Sequence, residues 1–365
     1  MSMRLALSLV VVPVCCALAA SDGPSAAHMG FVVVTDKVAS DGKADVSDAL
    51  QNLIDAHPNK TIYFPDGVYL LAKPIATSAH PKRSVDLRLS NYAVLKAAPG
   101  WSSQEAMVRL GGREHVDDVR DTRHIRAIGS NYSFTGGVVD GSGVANGISI
   151  DSGRETAIRQ VSIKHTRVGI HIKLRGPDSL SSDADINEVN IVGNCATNSI
   201  GVLVEGFDNT LTGMRIADVF TGVLLKSSGN SLRNIHPLYT CNYWNYYNSS
   251  GFNDRGGNNW YYFCYSDHFG VGFITAPGKS SIYDSCFCLW YAPIGNRHTV
   301  FRAEGSFDSV VNNIRIGFNG VDAINTILDE AHPGGKGLFQ NLRVDQKLIN
   351  EKECRYKAYF QGRIL

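Results

Sequence analysis

The chain has 365 residues, 44% of them hydrophobic and 19% charged, and its 35 Lys and Arg nearly balance its 34 Asp and Glu. That much apolar material builds a large core and excludes a disordered chain. The balanced charge, with no charge run of the kind that marks a basic arm, points away from nucleic acid as a partner.

The chain opens with "MSMRLALSLVVVPVCCALAA": one basic residue, Arg4, an apolar run from Leu5 to Leu18, and small residues at Ala17, Ala19 and Ala20. This is the pattern of a secretory signal over residues 1–20, which predicts a secreted or periplasmic protein. The apolar run is short for a transmembrane anchor, and no later stretch could span a bilayer. Residues 21–30 read as a flexible leader, and 31–365 as a single domain. Within it, "DVSDALQNLIDAHP" sets Val46, Ala49, Leu50, Leu53 and Ile54 on one helical face. A helix over about 46–56 is predicted, with Asp45 as N-cap and Pro58 beyond its end. "TIYFPDGVYLL" then reads as strand, Pro-Asp-Gly turn and strand.

Beyond residue 120 the helical period gives way to a repeat. The segments "GGVVDG", "VSIKHT", "VNIVGN", "MRIADV", "IHPLYT", "FCYSDH", "SCFCLW", "IRIGFN" and "LRVDQK" recur at steps of 20–30 residues. A second strand type, "GISID", "GIHIK", "GVLVE" and "GVLLK", recurs between them. Two strand types kept in order predict a parallel β-solenoid, with repeats stacked about 4.8 Å apart and the helix closing the open first end.

Two of these stretches carry a family resemblance. "DVSDALQNLIDAHPNKTIYFPDGVYLL", with Tyr63-Phe64-Pro65-Asp66-Gly67-Val68-Tyr69, and "GGVVDGSG" are similar to the cap-helix hairpin and a common coil of the pectate-lyase-like right-handed parallel β-helix superfamily. The resemblance implies an all-β right-handed parallel β-helix with an N-terminal capping helix, active on polysaccharides. The superfamily includes glycoside hydrolases, polysaccharide lyases, epimerases, fructan-transforming enzymes and phage tailspikes, so the reaction stays open. The N-T-D and G-H-G motifs of its polygalacturonases are missing here, and only Ile172-Lys173 stands for R-I-K.

Alternation along the first strand type predicts which side chains face outward. Val138, Ser162, Asn190, Arg215, His236, Cys264, Cys286, Arg315 and Arg343 are expected in one outward column, with Cys264 and Cys286 as a disulfide or a reduced ladder. Tyr265 and Phe287 are expected inside. Asp218 and Asp267, two repeats apart at a strand end, form the candidate carboxylate pair. Their expected spacing suits an inverting glycosidase, with one carboxyl kept protonated by nearby aromatics. Glu205 is a third catalytic candidate. It lies in a column of alternating sign, Asp151, Lys173, Glu205, Lys226, which reads equally as a surface ion-pair ladder. Arg215, His236, Tyr239, Trp244, Trp260, Trp290 and Lys173 are the candidate substrate-binding residues, because sugar faces stack on aromatic rings and sugar hydroxyls need polar partners.

These residues predict a carbohydrate-active enzyme that cleaves or rearranges glycosidic bonds of a polysaccharide or oligosaccharide by a two-carboxylate mechanism. One alternative is a lyase acting on a uronate-containing glycan. The other is a non-catalytic glycan-binding adhesin or tailspike-like β-helix, for which a homotrimer is the natural assembly. No cofactor or resident metal is expected; Ca²⁺ enters only with the lyase.

Overall fold

A computed structural model of the protein describes residues 29–79, 83–113, 133–175, 179–241, 243–291, 297–318 and 324–344. The expected signal segment, and the leader up to residue 28, lie outside them. Among the described residues there is one α-helix, α1 (Ser47–Ala56), and no helix is long and apolar enough to cross a membrane.

α1 starts one residue later than the sequence pattern suggests. Val46 is its N-cap, but Asp45 still ties off the first turn, because its Oδ1 accepts the Ser47 N–H at 3.0 Å. Leu50, Leu53 and Ile54 are buried, whereas Ala49, expected beside them, is exposed. Ser47 takes the inward place instead. Its hydroxyl accepts the backbone N–H groups of Ala72 and Lys73 at 3.0 and 3.2 Å, which draws the start of the helix onto the following segment.

After α1 the chain lays down short strands that pair in parallel in chain order, apart from one antiparallel pair of Leu174–Arg175 with Ser179–Ser182. Three ladders result, each adding one strand per repeat. A leading ladder includes Asp185–Asn187, Trp260–Tyr262 and Ile282–Asp284. A middle ladder includes Ser162–Thr166, Asn190–Gly193, Tyr265–Asp267 and Phe287–Trp290. A trailing ladder of ten strands climbs from Ile75–Ser78 to Ile324–Glu330. In two repeats the leading and middle strands fuse into eight-residue strands, Thr210–Ala217 and Ser231–Leu238. The all-β class and the parallel stacking are therefore as expected.

A left-handed corner separates the leading strand from the middle one. Gln160, Glu188, Gly213, Asn234, Phe263, Ser285, Asn313 and Asn341 hold it in successive repeats, with φ between 51° and 64°. Small and amide side chains suit that backbone; Phe263 does not. This corner corrects the expected register. The chain matches expectation up to His236, since Asn190 pairs with Arg215 and Arg215 with His236. Leu238 then pairs with Asp267, so Tyr265, and not Cys264, shares His236's rung. The apolar Phe263 mimics the first residue of a strand, and a one-residue slip turns the side chains of that strand to the other face. Cys264 and Cys286 are accordingly buried free thiols, while Tyr265 and Phe287 point outward. The register recovers at Arg315, which pairs with Phe287.

The interior is filled by rings in register. Phe252, Phe273 and Phe301 stack at 5.0 and 5.1 Å, and Tyr261 stacks on Tyr283 at 4.5 Å. Buried amides repeat in the same way: Asn209 Nδ2 donates to Asn230 Oδ1 at 2.9 Å, and Asn230 Nδ2 to Asn259 Oδ1 at 3.1 Å. These bonds satisfy polar groups that burial would otherwise penalise. Phe273 contacts rings on both neighbouring rungs. Truncating Phe273→Ala is expected to cost about 3–5 kcal/mol, read as a lowered denaturant midpoint with an unchanged slope.

Candidate active site

The outward face of the middle ladder carries the site. Arg215, His236, Tyr265, Phe287 and Arg315 occupy successive rungs. His236 stacks on Tyr265 with centroids 4.1 Å apart, and Tyr265 on Phe287 at 4.7 Å. The Arg315 guanidinium lies over Phe287, 5.3 Å from its centroid. The parallel register places the rings at stacking distance, so the platform is a direct product of backbone pairing.

Asp267 ends the Tyr265 strand on the same face and is 6% exposed. Its Oδ2 lies 3.3 Å from His236 Nε2, and its Oδ1 is bonded by His268 Nδ1. Burial opposes ionisation of Asp267, but its partners His236 and His268, with the nearby Tyr265 phenol, outweigh it and lower its pKa to about 2. Burial and the neighbouring carboxylate raise the pKa of the Tyr265 phenol, which stays protonated. His268 is buried, and its Nε2 accepts the Tyr291 N–H at 3.4 Å, which fits the tautomer with its proton on Nδ1. His236 is the half-buried member, so it is the member a ligand can reach. A carboxylate that orients an accessible imidazole is a general-base arrangement.

Asp218 does not join this cluster. It holds a left-handed position at φ 55°, the corner that His268 takes two repeats later. Its carboxylate accepts the Thr240 hydroxyl, and it sits beside the Cys195–Cys241 disulfide. Asp218 and Asp267 thus occupy neighbouring columns with separate partners, because the corrected register moves Asp267 back by one position. Glu205 lies on a different edge, after the trailing ladder. Burial opposes its charge, yet Lys226 and His171, each at 2.9 Å, hold it ionised, so it has no proton to give. Lys173 is engaged by Glu105 and by Asp151, the latter at 3.1 Å. The alternating column is a ladder of ion pairs, continued by Arg255 with Glu304.

The aromatic candidates divide. Tyr239 and Trp290, expected in the groove, are buried in the core. Trp290 Nε1 donates to the Phe269 carbonyl at 2.7 Å, and its ring stacks on His298 and Phe318. The same register slip explains the difference, since Trp290 ends its strand on the inward face. Trp260 is exposed, but on the leading ladder, across the corner from Asp267. The Trp244 side chain lies outside the described residues. The signal for His268 and Tyr265 in the sequence is the polar "YSDH" after a Cys that packs as a small apolar residue, and alternation alone does not bring it out.

The donors around Asp267 do not suit Ca²⁺. Among the described residues the one group of potential metal ligands is Cys195, Asp218 and Cys241, and its two sulfurs are spent in the disulfide. Ca²⁺ takes 6–8 oxygen ligands, and the Asp267 oxygens already accept from histidines.

No protein-family model matches the sequence, and no curated protein sequence matches it. Solved structures do share the fold. The surface adhesin PfbA of Streptococcus pneumoniae is 13% identical, with a TM-score of 0.55 over 86% of this chain and 85% of its own. An alginate lyase from Paenibacillus sp. strain FPU-7 is 15% identical, with a TM-score of 0.53 over 77% of this chain and 98% of its own. The catalytic domain of a GH87 α-1,3-glucanase bound to tetrasaccharides is 11% identical, with a TM-score of 0.59 over 91% of this chain and 67% of its own.

The depressed pKa of Asp267 has a stability consequence. Because its folded pKa lies below the unfolded value of 3.8, its contribution is complete above about pH 4 and is lost as pH falls toward 2. The contribution is about 2 kcal/mol. Thermal unfolding between pH 5 and pH 2 should therefore show wild type losing more stability than Asp267→Asn across that window.

Proposed function

We propose that this protein is a secreted, carbohydrate-active right-handed parallel β-helix, closed at its first rung by α1, that breaks glycosidic bonds of a uronate-containing glycan by elimination at His236. The observation that carries this is the accessible His236 imidazole, held by ionised Asp267 and set one rung from Arg215. The fold likeness to an alginate lyase and an α-1,3-glucanase supports a glycan as substrate.

The chemistry follows from the arrangement. Arg215 binds the uronate carboxylate and makes the adjacent C–H more acidic. With Nε2–H donated to Asp267, His236 Nδ1 removes that proton. The electron pair forms the ring double bond, and the glycosidic C–O bond breaks. The imidazolium so formed is stabilised by Asp267 and returns the proton to the leaving oxygen. Tyr265 and Phe287 supply the stacking surface for the sugar. A hydrolytic two-carboxylate route fits less well. It needs a carboxyl held protonated, whereas Asp151, Glu205 and Asp267 are all shifted downward.

Digestion of a panel of uronate-containing and neutral polysaccharides tests this. Unsaturated uronate, seen by its ultraviolet absorbance, is expected from the former alone. New reducing ends without that absorbance would instead mark hydrolysis, and binding without any product an adhesin. His236→Ala and Asp267→Asn should each lower kcat by on the order of 10²–10⁴-fold. Arg215→Ala should act mainly through KM, and a fully active His236→Ala would remove the proposed base.

A further inference from the structure

Phe263 occupies left-handed backbone, φ 53°, at the corner where the other repeats place Gln160, Glu188, Gly213, Asn234, Ser285, Asn313 and Asn341. A bulky residue there is strained, and such strain collects at functional sites. Burial does not offset it. Phe263 is 50% exposed, and its ring lies at a T-shaped 4.4 Å from that of Tyr262. Around it the leading ladder exposes Trp260 at 48%, Tyr262 at 41% and Ile282 at 40%, more large apolar surface than a solvated face normally carries.

We propose that this face is a second glycan-binding site, separate from His236 and Asp267, that takes a neutral hexopyranose chain lying along the ladder. Two adjacent columns give it that chemistry. One runs Trp260, Ile282, Val310 and offers an apolar stripe to the C–H faces of sugar rings. The other runs Arg233, Tyr262, Asp284, Asn312 and offers guanidinium, phenol, carboxylate and amide groups to hydroxyls. Arg233 and Asp284 balance in charge, which favours a neutral chain over a polyuronate. The Arg233 guanidinium lies 5.7 Å from the Tyr262 ring centroid, which steadies the platform. The site does not depend on the elimination chemistry, because its readout is binding.

Affinity electrophoresis of the full chain through native gels containing dextran, soluble starch, hydroxyethylcellulose or polygalacturonate tests it. At least one neutral polymer should retard wild type. The double variant Trp260→Ala/Tyr262→Ala, with its fold checked by circular dichroism, should bind about tenfold or more weakly. Phe263→Asn separates strain kept for binding from strain kept for folding: it should weaken retardation while its melting temperature holds or rises. The proposal is overturned if no neutral polymer retards wild type, if polygalacturonate alone does, or if the double variant is retarded like wild type. It is also overturned if Phe263→Asn melts lower with binding intact. A wild-type oligomer that the double variant disperses, with glycan retardation unchanged, would make the face a subunit contact and overturn it too.

Discussion

Backbone hydrogen bonding between successive repeats is the constraint on which everything else in this molecule rests. Each strand donates to and accepts from the rungs on either side, so the spacing between repeats is fixed near 4.8 Å and every side chain inherits a column. Inside, this spacing stacks Phe252, Phe273 and Phe301 and links Asn209 to Asn230 to Asn259. Outside, it stacks His236, Tyr265 and Phe287 by the same rule. The core and the candidate site are thus two faces of one ladder, and a change that slipped the register would disturb both.

The chemistry at Asp267 depends on that rigidity. A buried carboxylate is costly unless it is bonded, and here two histidines from two rungs meet it. His236 comes from the rung below, while His268 comes from its own. The result is an ionised group beside a reachable imidazole, which is the pairing that proton transfer needs. The ion pairs along the trailing edge serve a different end. Lys173 pairs with Asp151 and Lys226 with Glu205, so charge is neutralised along the edge.

Much of the architecture was legible in the sequence because its signals are local and repeated. The amphipathic helix, the hairpin at Phe64-Pro65-Asp66-Gly67, and the recurrence of two apolar strand types are each visible in short windows. The leading ladder was harder to see, since three-residue strands such as Trp260–Tyr262 leave almost no periodicity. The site was only half legible. His236, Asp267 and Arg215 stood out as polar residues near strand ends, but the pairing of Asp267 with Asp218 did not survive the corrected register. Tyr265 was assigned inside and Trp290 outside, each the reverse of its place.

The sequence by itself determined the repeat, the parallel all-β class and the inward columns up to Pro237, because apolar alternation dictates which face is buried. Only the tertiary structure decided the register of the two repeats that follow, before it recovers at Arg315. Phe263 looks like a strand residue and acts as a corner, and a backbone angle of 53° is not written in its side chain. That single position sends Cys264 inward and Tyr265 outward, and so places Asp267 between two histidines. The physical reason is that alternation has a period of two: an error of one residue inverts every assignment within the strand it enters, and only pairing with neighbouring rungs can correct it.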